Sequence, residues 1–204
     1  MVFQYPEHQL FEETVFKDIA FGPRNLGLTE AEIKERVYEA IEIVGIDESQ
    51  LERSPFDISG GQKRRVAIAG VLAMKPSVLV LDEPTAGLDP AGRDEILDKI
   101  RGLHQRFDMT VILVSHSMED VARIADNIIV MNHGKIAFYD TVNEVFSHAE
   151  ELREIGLNIP QVTEIMRGLK EKGYPVDIRI HTVEDAKAEI LKLMQKKKLG
   201  DWQC

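Results

Sequence analysis

The chain has 204 residues, 44% of them hydrophobic and 29% charged, with a formal net charge of −10, which is ordinary for a globular protein with one sizeable core. The negative charge argues against a nucleic-acid surface, and no apolar run approaches the roughly 18 residues of a membrane-spanning helix. A single cysteine, Cys204, excludes an internal disulfide and a cysteine-cluster metal site. We therefore expect a cytosolic chain that reaches a membrane only through another protein.

The N-terminal quarter of the chain predicts an extended segment followed by two helices. Met1–Gln4 has the apolar character of a core strand, and Glu12–Gly22 is expected to form a short helix. The side chains expected to face inward from that region are Phe11, Val15 and Ile19. A capping box at Thr29–Glu32 begins a longer helix that ends at Gly45. The apolar stripe of this second helix, interpreted as core packing, consists of Ile33, Val37, Ala40, Ile41 and Val44.

A serine, two glycines and a glutamine precede the third predicted helix, Lys63–Met74. On its own, Ser59 is most simply a helix N-cap. The two glycines also let a backbone approach a ligand closely, and a helix N-terminus offers free amide donors and a positive dipole end to an anion such as phosphate. The residues leave both interpretations open, and the acidic strand that follows favours the second.

That strand is the run Val78–Leu81, which ends in two adjacent carboxylates, Asp82 and Glu83. Four hydrophobic residues followed by acids are typical of a buried strand in a parallel sheet that delivers acids to its C-terminal edge, where α/β proteins place ligands. The alternative is a pair of solvated acids at a strand end. The turn Gly87–Asp89 follows.

Helices and strands alternate beyond this turn, which predicts a parallel sheet. We expect an amphipathic helix, a second buried strand, a helix capped by Ser115 or Ser117, two strands around His133–Gly134 and a helix capped at Thr141. The ranges of the first helix and of the strands are Ala91–Phe107, Thr110–Ser115, Asn127–Met131 and Lys135–Tyr139. From about Ser147 the pattern changes to helices broken at Pro160 and Gly173–Pro175, and Lys196–Lys198 is expected to be a solvated helix end.

Taken together, five motifs resemble the nucleotide-binding domain of an ATP-binding cassette (ABC) protein, in family order. They are the Q-loop glutamine Gln4, the signature Ile58–Gln62, the Walker B strand with Asp82 and Glu83, the turn Gly87–Asp89, and Ser115–His116. The stretch Val2–Phe11 is similar to the Q-loop region of the ATPase subunits of energy-coupling factor (ECF) transporters, which import vitamins and metal ions.

The resemblance implies an α/β fold, namely a partial P-loop NTPase (ABC ATPase) fold with a parallel core sheet. It implies a partial nucleotide-binding domain over residues 1–146, with a helical signature subdomain at about 12–75. Residues 147–204 would form a C-terminal helical extension that packs on this domain or helps to hold a dimer.

The resemblance also implies the cofactors ATP and Mg²⁺ and a role for each motif residue. Asp82 would hold Mg²⁺ through a water, Glu83 would orient or deprotonate the attacking water, and His116 would sense the γ-phosphate. Gln4 would touch the metal or the water, and Asp89 would communicate across a dimer, although a turn acid before Pro90 is nearly as good an interpretation. In this family the signature motif closes over the partner's nucleotide, through Ser59, Gly60, Gly61 and Gln62. The remaining histidines are interpreted as surface or structural residues: His8, His104, His133, His148 and His181.

The implied partners are a second ABC ATPase subunit, as a homodimer or heterodimer, and an integral membrane component at the cytoplasmic face of the membrane, with no nucleic acid. The leading hypothesis is an ATP-hydrolysing subunit of an ECF-type importer. A degenerate regulatory subunit that lends its signature motif to a partner is the runner-up, and an ABC ATPase of DNA repair or translation is the third.

The phosphate-binding pattern Gly-x-x-x-x-Gly-Lys-Ser/Thr does not occur in the 204 residues. We therefore expect this chain alone to be a poor ATPase and hypothesise that the full-length parent is competent. Met1 as an internal methionine and a truncated gene are both compatible with the sequence.

Overall fold

The computed structural model describes residues 1–107 and 109–198, except for the side chains of residues 6, 7, 104–107 and 196–198. Three predictions concern residues or side chains that the structure does not describe. They are the predictions for the His104 side chain, for solvated side chains at Lys196–Lys198 and for Cys204. The chain divides into two compact units, Met1–Ser115 and His116–Cys204. The family resemblance predicts a boundary near residue 147, between the nucleotide-binding domain and its C-terminal extension. This boundary is not a division by compactness, and it stays a prediction.

The described residues of the first unit contain four α-helices, whose starts are set by local capping. Thr14 Oγ1 accepts a hydrogen bond from the Lys17 amide at the start of the first helix. Thr29 and Glu32 form the predicted capping box of the second, which ends at Gly45 with φ of 69°. The helices are α1 (Val15–Asn25), α2 (Glu30–Val44), α3 (Gly60–Leu72) and α4 (Pro90–Phe107).

Helices α1, α2 and α3 pack against one another within the region predicted to be a helical subdomain. All five stripe positions of α2 are buried, as are Val15 and Ile19 of α1. The prediction for Phe11 is wrong, since its side chain is 57% exposed. Phe11 lies in the non-helical segment before α1, where its amide donates a hydrogen bond to Asp18 Oδ2 at 3.1 Å, and its side chain is not held on the buried face of the helix. It packs instead edge to face on Phe21, with ring centroids 4.8 Å apart.

Two parallel strands, β1 (Val78–Asp82) and β2 (Thr110–Val114), form the sheet of this unit. Their register runs from Val78 opposite Thr110 to Asp82 opposite Val114. The predicted N-terminal extended segment adds a parallel bridge between Val2 and Leu81, in which the Val2 amide donates to the Val80 carbonyl at 2.8 Å. The α/β class and the parallel sheet predicted from the sequence are confirmed.

The prediction that both strands are buried holds only for part of β1. Leu79 and Leu81 are completely buried, but Val78, Ile112 and Val114 are each 46 to 48% exposed. Successive side chains of a strand point to opposite faces of a sheet. In the described residues one face of β1 is therefore packed through Leu79 and Leu81, while on the other face Val78 is exposed and Val80 is half-buried.

The second unit combines a β-hairpin with short helices. Its elements are α5 (Met118–Ile124), β3 (Asn127–Asn132), β4 (Lys135–Thr141), α6 (Val142–Ser147), α7 (Ala149–Glu154), α8 (Gln161–Glu171) and α9 (Val183–Lys198). Ser117, not Ser115, caps α5 by accepting from the Asp120 amide. The antiparallel strands β3 and β4 join at His133–Gly134, where φ is 47° and 75°, as a two-residue hairpin turn with two left-handed residues requires.

Two apolar clusters stabilise this unit. One packs Val130 of β3 against Phe146, Ala149 and Leu152 of the following helices. The other joins α8 and α9 through Met166, Val176 and Ala186.

Candidate nucleotide site

The N-terminus of α3 is closed by a reciprocal capping box. Ser59 Oγ accepts a hydrogen bond from the Gln62 amide at 3.3 Å, and Gln62 Oε1 accepts one from the Ser59 amide at 2.9 Å. The structural interpretation of Ser59 as an N-cap is therefore correct. The cap uses only the acceptor capacity of Ser59 Oγ, so its hydroxyl can still donate to an approaching acceptor such as a phosphate oxygen.

Gly60 and Gly61 follow this cap in exposed positions of the first helical turn. Neither has a positive φ, and a Cβ atom built on either would meet no described atom within 4 Å. The folded chain thus gives no internal reason for glycine at these two positions. A helix N-terminus without side chains can receive an anion directly on its backbone amides.

Glu83 follows β1 in an uncommon backbone conformation. Its φ is 48°, in the left-handed region that non-glycine residues rarely adopt. Its amide nevertheless donates to the Val114 carbonyl at 2.9 Å, so the residue stays attached to β2. Such conformations cost of order 1 to 3 kcal/mol and cluster at functional sites. No local sequence signal predicted this conformation.

Asp82 ends β1 beside the segment that carries Gln4. The Asp82 amide donates to the Val2 carbonyl at 3.0 Å, which holds this segment two residues before Gln4. Among the described residues, no three His, Cys, Asp or Glu side chains assemble as a metal site. Mg²⁺ is usually held by one or two carboxylates together with substrate phosphates and waters, so a single carboxylate such as Asp82 fits this ion.

The Asp89 side chain caps a helix. Its Oδ1 accepts a hydrogen bond from the Gly92 amide at 2.7 Å, which caps α4 just before Pro90. A Cβ at Gly92 would lie 3.0 Å from this oxygen, so the glycine makes room for the cap. The geometry fits the interpretation of Asp89 as a turn acid, while its role across a dimer stays a prediction.

Arg64 was missed by the sequence analysis and connects two of the motifs. Its side chain is only 6% exposed, and its Nη1 donates to the carbonyls of Pro84 at 3.1 Å and Ala86 at 2.8 Å. It therefore joins the signature helix to the loop after Glu83. A signal was available, because Arg64 lies one helical turn before buried Ile68 and so places a charge on an apolar stripe.

Two histidines, His116 and His181, lie in different surroundings. His116 is the first residue of the second unit and is exposed; its role as a switch stays a prediction. His181 is structural: its ring nitrogens lie 2.9 Å from Thr163 Oγ1 and from Asn143 Oδ1. Burial lowers the pKa of this imidazole, although Asp177 and Asp185 act in the opposite direction.

Four exposed aromatic side chains lie in the segment around the Q-loop and in the helix that follows it. Phe3, Tyr5 and Phe11 precede α1, and Phe21 lies within it. The short 3-10 helix Pro6–Gln9 in this segment contacts α3. Exposed aromatic side chains that form a contiguous patch mark surfaces that contact other proteins or membranes, and Phe11 and Phe21 are in contact here.

Comparison with known proteins places these features in a family context. Residues 1–86 match the ABC transporter family. The chain is 62% identical over 195 residues to the energy-coupling factor transporter ATP-binding protein EcfA2 of Caldanaerobacter subterraneus, covering 96% of this chain and 68% of that protein. It is 58% identical to the EcfA2 protein of Clostridium tetani, covering 97% and 69% respectively. The chain thus spans about two thirds of the length of these relatives.

A solved structure agrees with these relatives. The fold matches cbiO1 of Clostridium perfringens, described as part of the ABC transporter complex cbiONQ, with a TM-score of 0.67 and 41% identity. The match covers 81% of this chain and 66% of that one. None of the helices in the described residues has the length and apolar character needed to cross a bilayer.

Proposed function

Because this chain belongs to the family of energy-coupling factor transporter ATP-binding proteins, which are ABC ATPases, we propose that its motif residues act in ATP hydrolysis that drives an ECF-type importer. The transported solute would be a vitamin or a metal ion selected by other subunits. The observation that carries the proposal is the capped N-terminus of α3, where Gly60 and Gly61 have no internal steric reason to be glycine.

The α3 terminus is proposed to bind the nucleotide of a partner ATPase. The Ser59 hydroxyl and the backbone amides around Gly60 and Gly61 would donate to phosphate oxygens, and the helix dipole would favour their negative charge. Because these donors are exposed in the first unit, they are accessible to a second subunit that approaches from outside.

The end of β1 is proposed to serve the nucleotide of this chain. Asp82 and Gln4 would hold Mg²⁺, which supplies charge neutralisation at the phosphates when it is bound. Glu83 would accept a proton from the attacking water or orient it. His116 would contact the γ-phosphate, and Asp89 would contribute at the dimer interface while capping α4.

The aromatic cluster around Phe3, Tyr5 and Phe11 is proposed to contact the integral membrane component. Its place directly around Gln4 supports a coupling between nucleotide state and that contact. The chain would then lie at the cytoplasmic face of the membrane as a peripheral subunit, as either half of a homodimer or heterodimer.

The experiment that tests this function uses the full-length protein, produced with its partner ATPase and membrane component. Glu83→Gln should lower phosphate release at the site of this chain by about 100-fold or more, while equilibrium binding of a fluorescent ATP analogue is unchanged. Glu171→Gln, at the end of α8, is the matched control and should leave both quantities unaltered.

The regulatory alternative makes the opposite prediction. If the chain only lends its signature motif to a partner, Glu83→Gln leaves hydrolysis unchanged and Gly60→Ala abolishes it. Sequencing the genomic DNA upstream of Met1 is an independent check, since an in-frame Gly-x-x-x-x-Gly-Lys-Ser/Thr segment would supply the phosphate cradle. The relatives reported above are transporter proteins, which favours a transporter over an ABC ATPase of DNA repair or translation.

A further inference from the structure

Arg64 is a buried cation that lies two residues after the signature motif. Its Nη1 donates to two backbone carbonyls, those of Pro84 and Ala86. These carbonyls belong to the loop that begins at Glu83 and leads to Asp89. One side chain thus holds the signature helix and this loop at a defined spacing.

A guanidinium is a costly group to place at this position. Burying a charge is unfavourable unless it is hydrogen-bonded, and an apolar side chain of similar volume often stabilises a protein as well or better. Both carbonyls accept from one nitrogen, Nη1, whose two hydrogens lie in the guanidinium plane, so the two bonds have fixed directions that a freely rotating ammonium does not impose. Its value here lies in positioning rather than in stability.

The loop that Arg64 contacts begins with a residue in a strained backbone conformation. Glu83 is left-handed, and the turn after it is closed by hydrogen bonds from the Ala86 amide to the Glu83 carbonyl at 3.1 Å and from the Leu88 amide to the Thr85 carbonyl at 3.2 Å. A strained residue persists only where its surroundings over-determine its conformation. Arg64 supplies two of these constraints directly after Glu83.

We propose that Arg64 is a positioning residue that couples the signature end of α3 to Glu83 within one chain. This inference rests on the proposed function, in which Ser59–Gln62 acts on the partner's nucleotide and Glu83 on that of its own chain. Engagement of α3 by the partner's nucleotide then sets the position of Glu83 through the Pro84 and Ala86 carbonyls. Each chain in this way makes hydrolysis at its own site depend on closure at the other.

The neighbouring residue Arg65 provides a matched control. It lies on the same helix, but its Nη1 donates to the Gly45 carbonyl at 3.2 Å and its Nη2 pairs with Glu95. These contacts tie α3 to the C-terminal end of α2 and to α4, not to the loop after Glu83. Loss of Arg65 therefore tests the general cost of removing an arginine from α3.

The test compares Arg64→Met with Arg65→Met in the full-length protein assembled with its partner. Methionine keeps most of the buried volume and leaves no unpaired charge. We expect Arg64→Met to lower kcat by about 10- to 100-fold with the KM for ATP within twofold, and to speed amide exchange at Glu83, Ala86 and Leu88. Arg65→Met should leave kcat and the exchange of these amides close to wild type.

Three results would overturn the inference: wild-type kcat in Arg64→Met, equal losses of kcat in the two variants, or a change confined to KM. If Arg64→Met does not fold, Arg64→Lys is used with the same criteria, since the lysine ammonium rotates freely and lacks the planar donor group. If the wild-type protein itself hydrolyses no ATP, the proposed function is refuted. The rate of amide exchange in the loop after Glu83 then decides whether Arg64 positions this loop. Unchanged exchange at Ala86 and Leu88 in Arg64→Met would then refute it.

Discussion

The backbone amide of Asp82 donates a hydrogen bond to the carbonyl of Val2, 80 residues earlier in the chain. This bond holds the proposed magnesium carboxylate beside the segment that carries Gln4. It uses only main-chain atoms, so it does not depend on the Asp82 side chain. The carboxylate can therefore be changed without loss of this contact.

We expect Asp82→Asn to abolish the Mg²⁺-dependent ATP hydrolysis of the full-length protein, because an amide is a much weaker magnesium ligand than a carboxylate. Its free energy of unfolding should stay within about 0.5 kcal/mol of wild type. Hydrolysis measured against magnesium concentration, together with denaturant unfolding, checks both points. Normal hydrolysis at saturating magnesium would remove Asp82 from the metal site.

Replacing Gly60 or Gly61 by alanine separates folding from ligand approach. Alanine is a better helix former than glycine, and its Cβ meets no described atom, so stability should be unchanged or higher. ATP-induced association with the partner should weaken by about 10-fold or more if the backbone contacts phosphate. Gly168→Ala in α8, which is equally open, is the control and should keep normal association. Normal association in Gly60→Ala and Gly61→Ala would contradict the proposed contact.

The two capping boxes of the first unit allow the two roles of Ser59 to be separated. Ser59→Ala and Thr29→Ala should each lower the free energy of unfolding by about 1 kcal/mol, because each removes an N-cap. Only Ser59→Ala should also reduce ATP hydrolysis by the assembled protein, since Thr29 caps α2 without facing a proposed nucleotide. Equal ATP hydrolysis by the two variants would show that Ser59 acts only as a helix N-cap.

The left-handed conformation of Glu83 predicts a conflict between stability and activity. Glu83→Gly should raise the free energy of unfolding by about 1 kcal/mol, because glycine adopts this conformation without strain, and it should abolish hydrolysis. His133→Gly, at a hairpin residue with φ of 47°, should bring a similar gain with full activity. A loss of stability in Glu83→Gly would show that the carboxylate stabilises the fold.

His181 predicts a pH dependence of stability. Burial lowers the pKa of the folded-state imidazole below its usual value of 6.5, so the unfolded chain binds more protons in this range. Stability from this group is fully present above about pH 6.5 and is lost as the pH falls through the folded-state pKa. Thermal unfolding between pH 7.5 and about 5 should show this loss in wild type and in His148→Gln but not in His181→Gln. A parallel decline in all three proteins would assign the effect to other groups.

Features that depend on neighbouring residues were predictable. The capping box at Thr29, the N-cap at Ser59, the α2 stripe and the hairpin turn at His133–Gly134 each involve residues within a few positions of one another. Propensity and hydrogen-bonding chemistry at that range are read directly from residue types. The first residue of α1 was harder to predict, because Glu12 and Val15 are both acceptable helix starts. The exposure of Phe11 was not predictable either, because its segment is held by a hydrogen bond to Asp18, seven residues later.

The amino-acid sequence by itself determined the order and identity of the motif residues, and these identified the family. The motif residues are Ser59, Asp82, Glu83 and Asp89. Three features could be seen only in the folded chain. They are the left-handed backbone at Glu83, the hydrogen bond between Asp82 and Val2, and the contacts of Arg64 with Pro84 and Ala86. The physical reason is the separation along the chain: these contacts join residues 20 to 80 positions apart. Helix and strand preferences act locally, whereas such contacts form only when packing brings distant elements together.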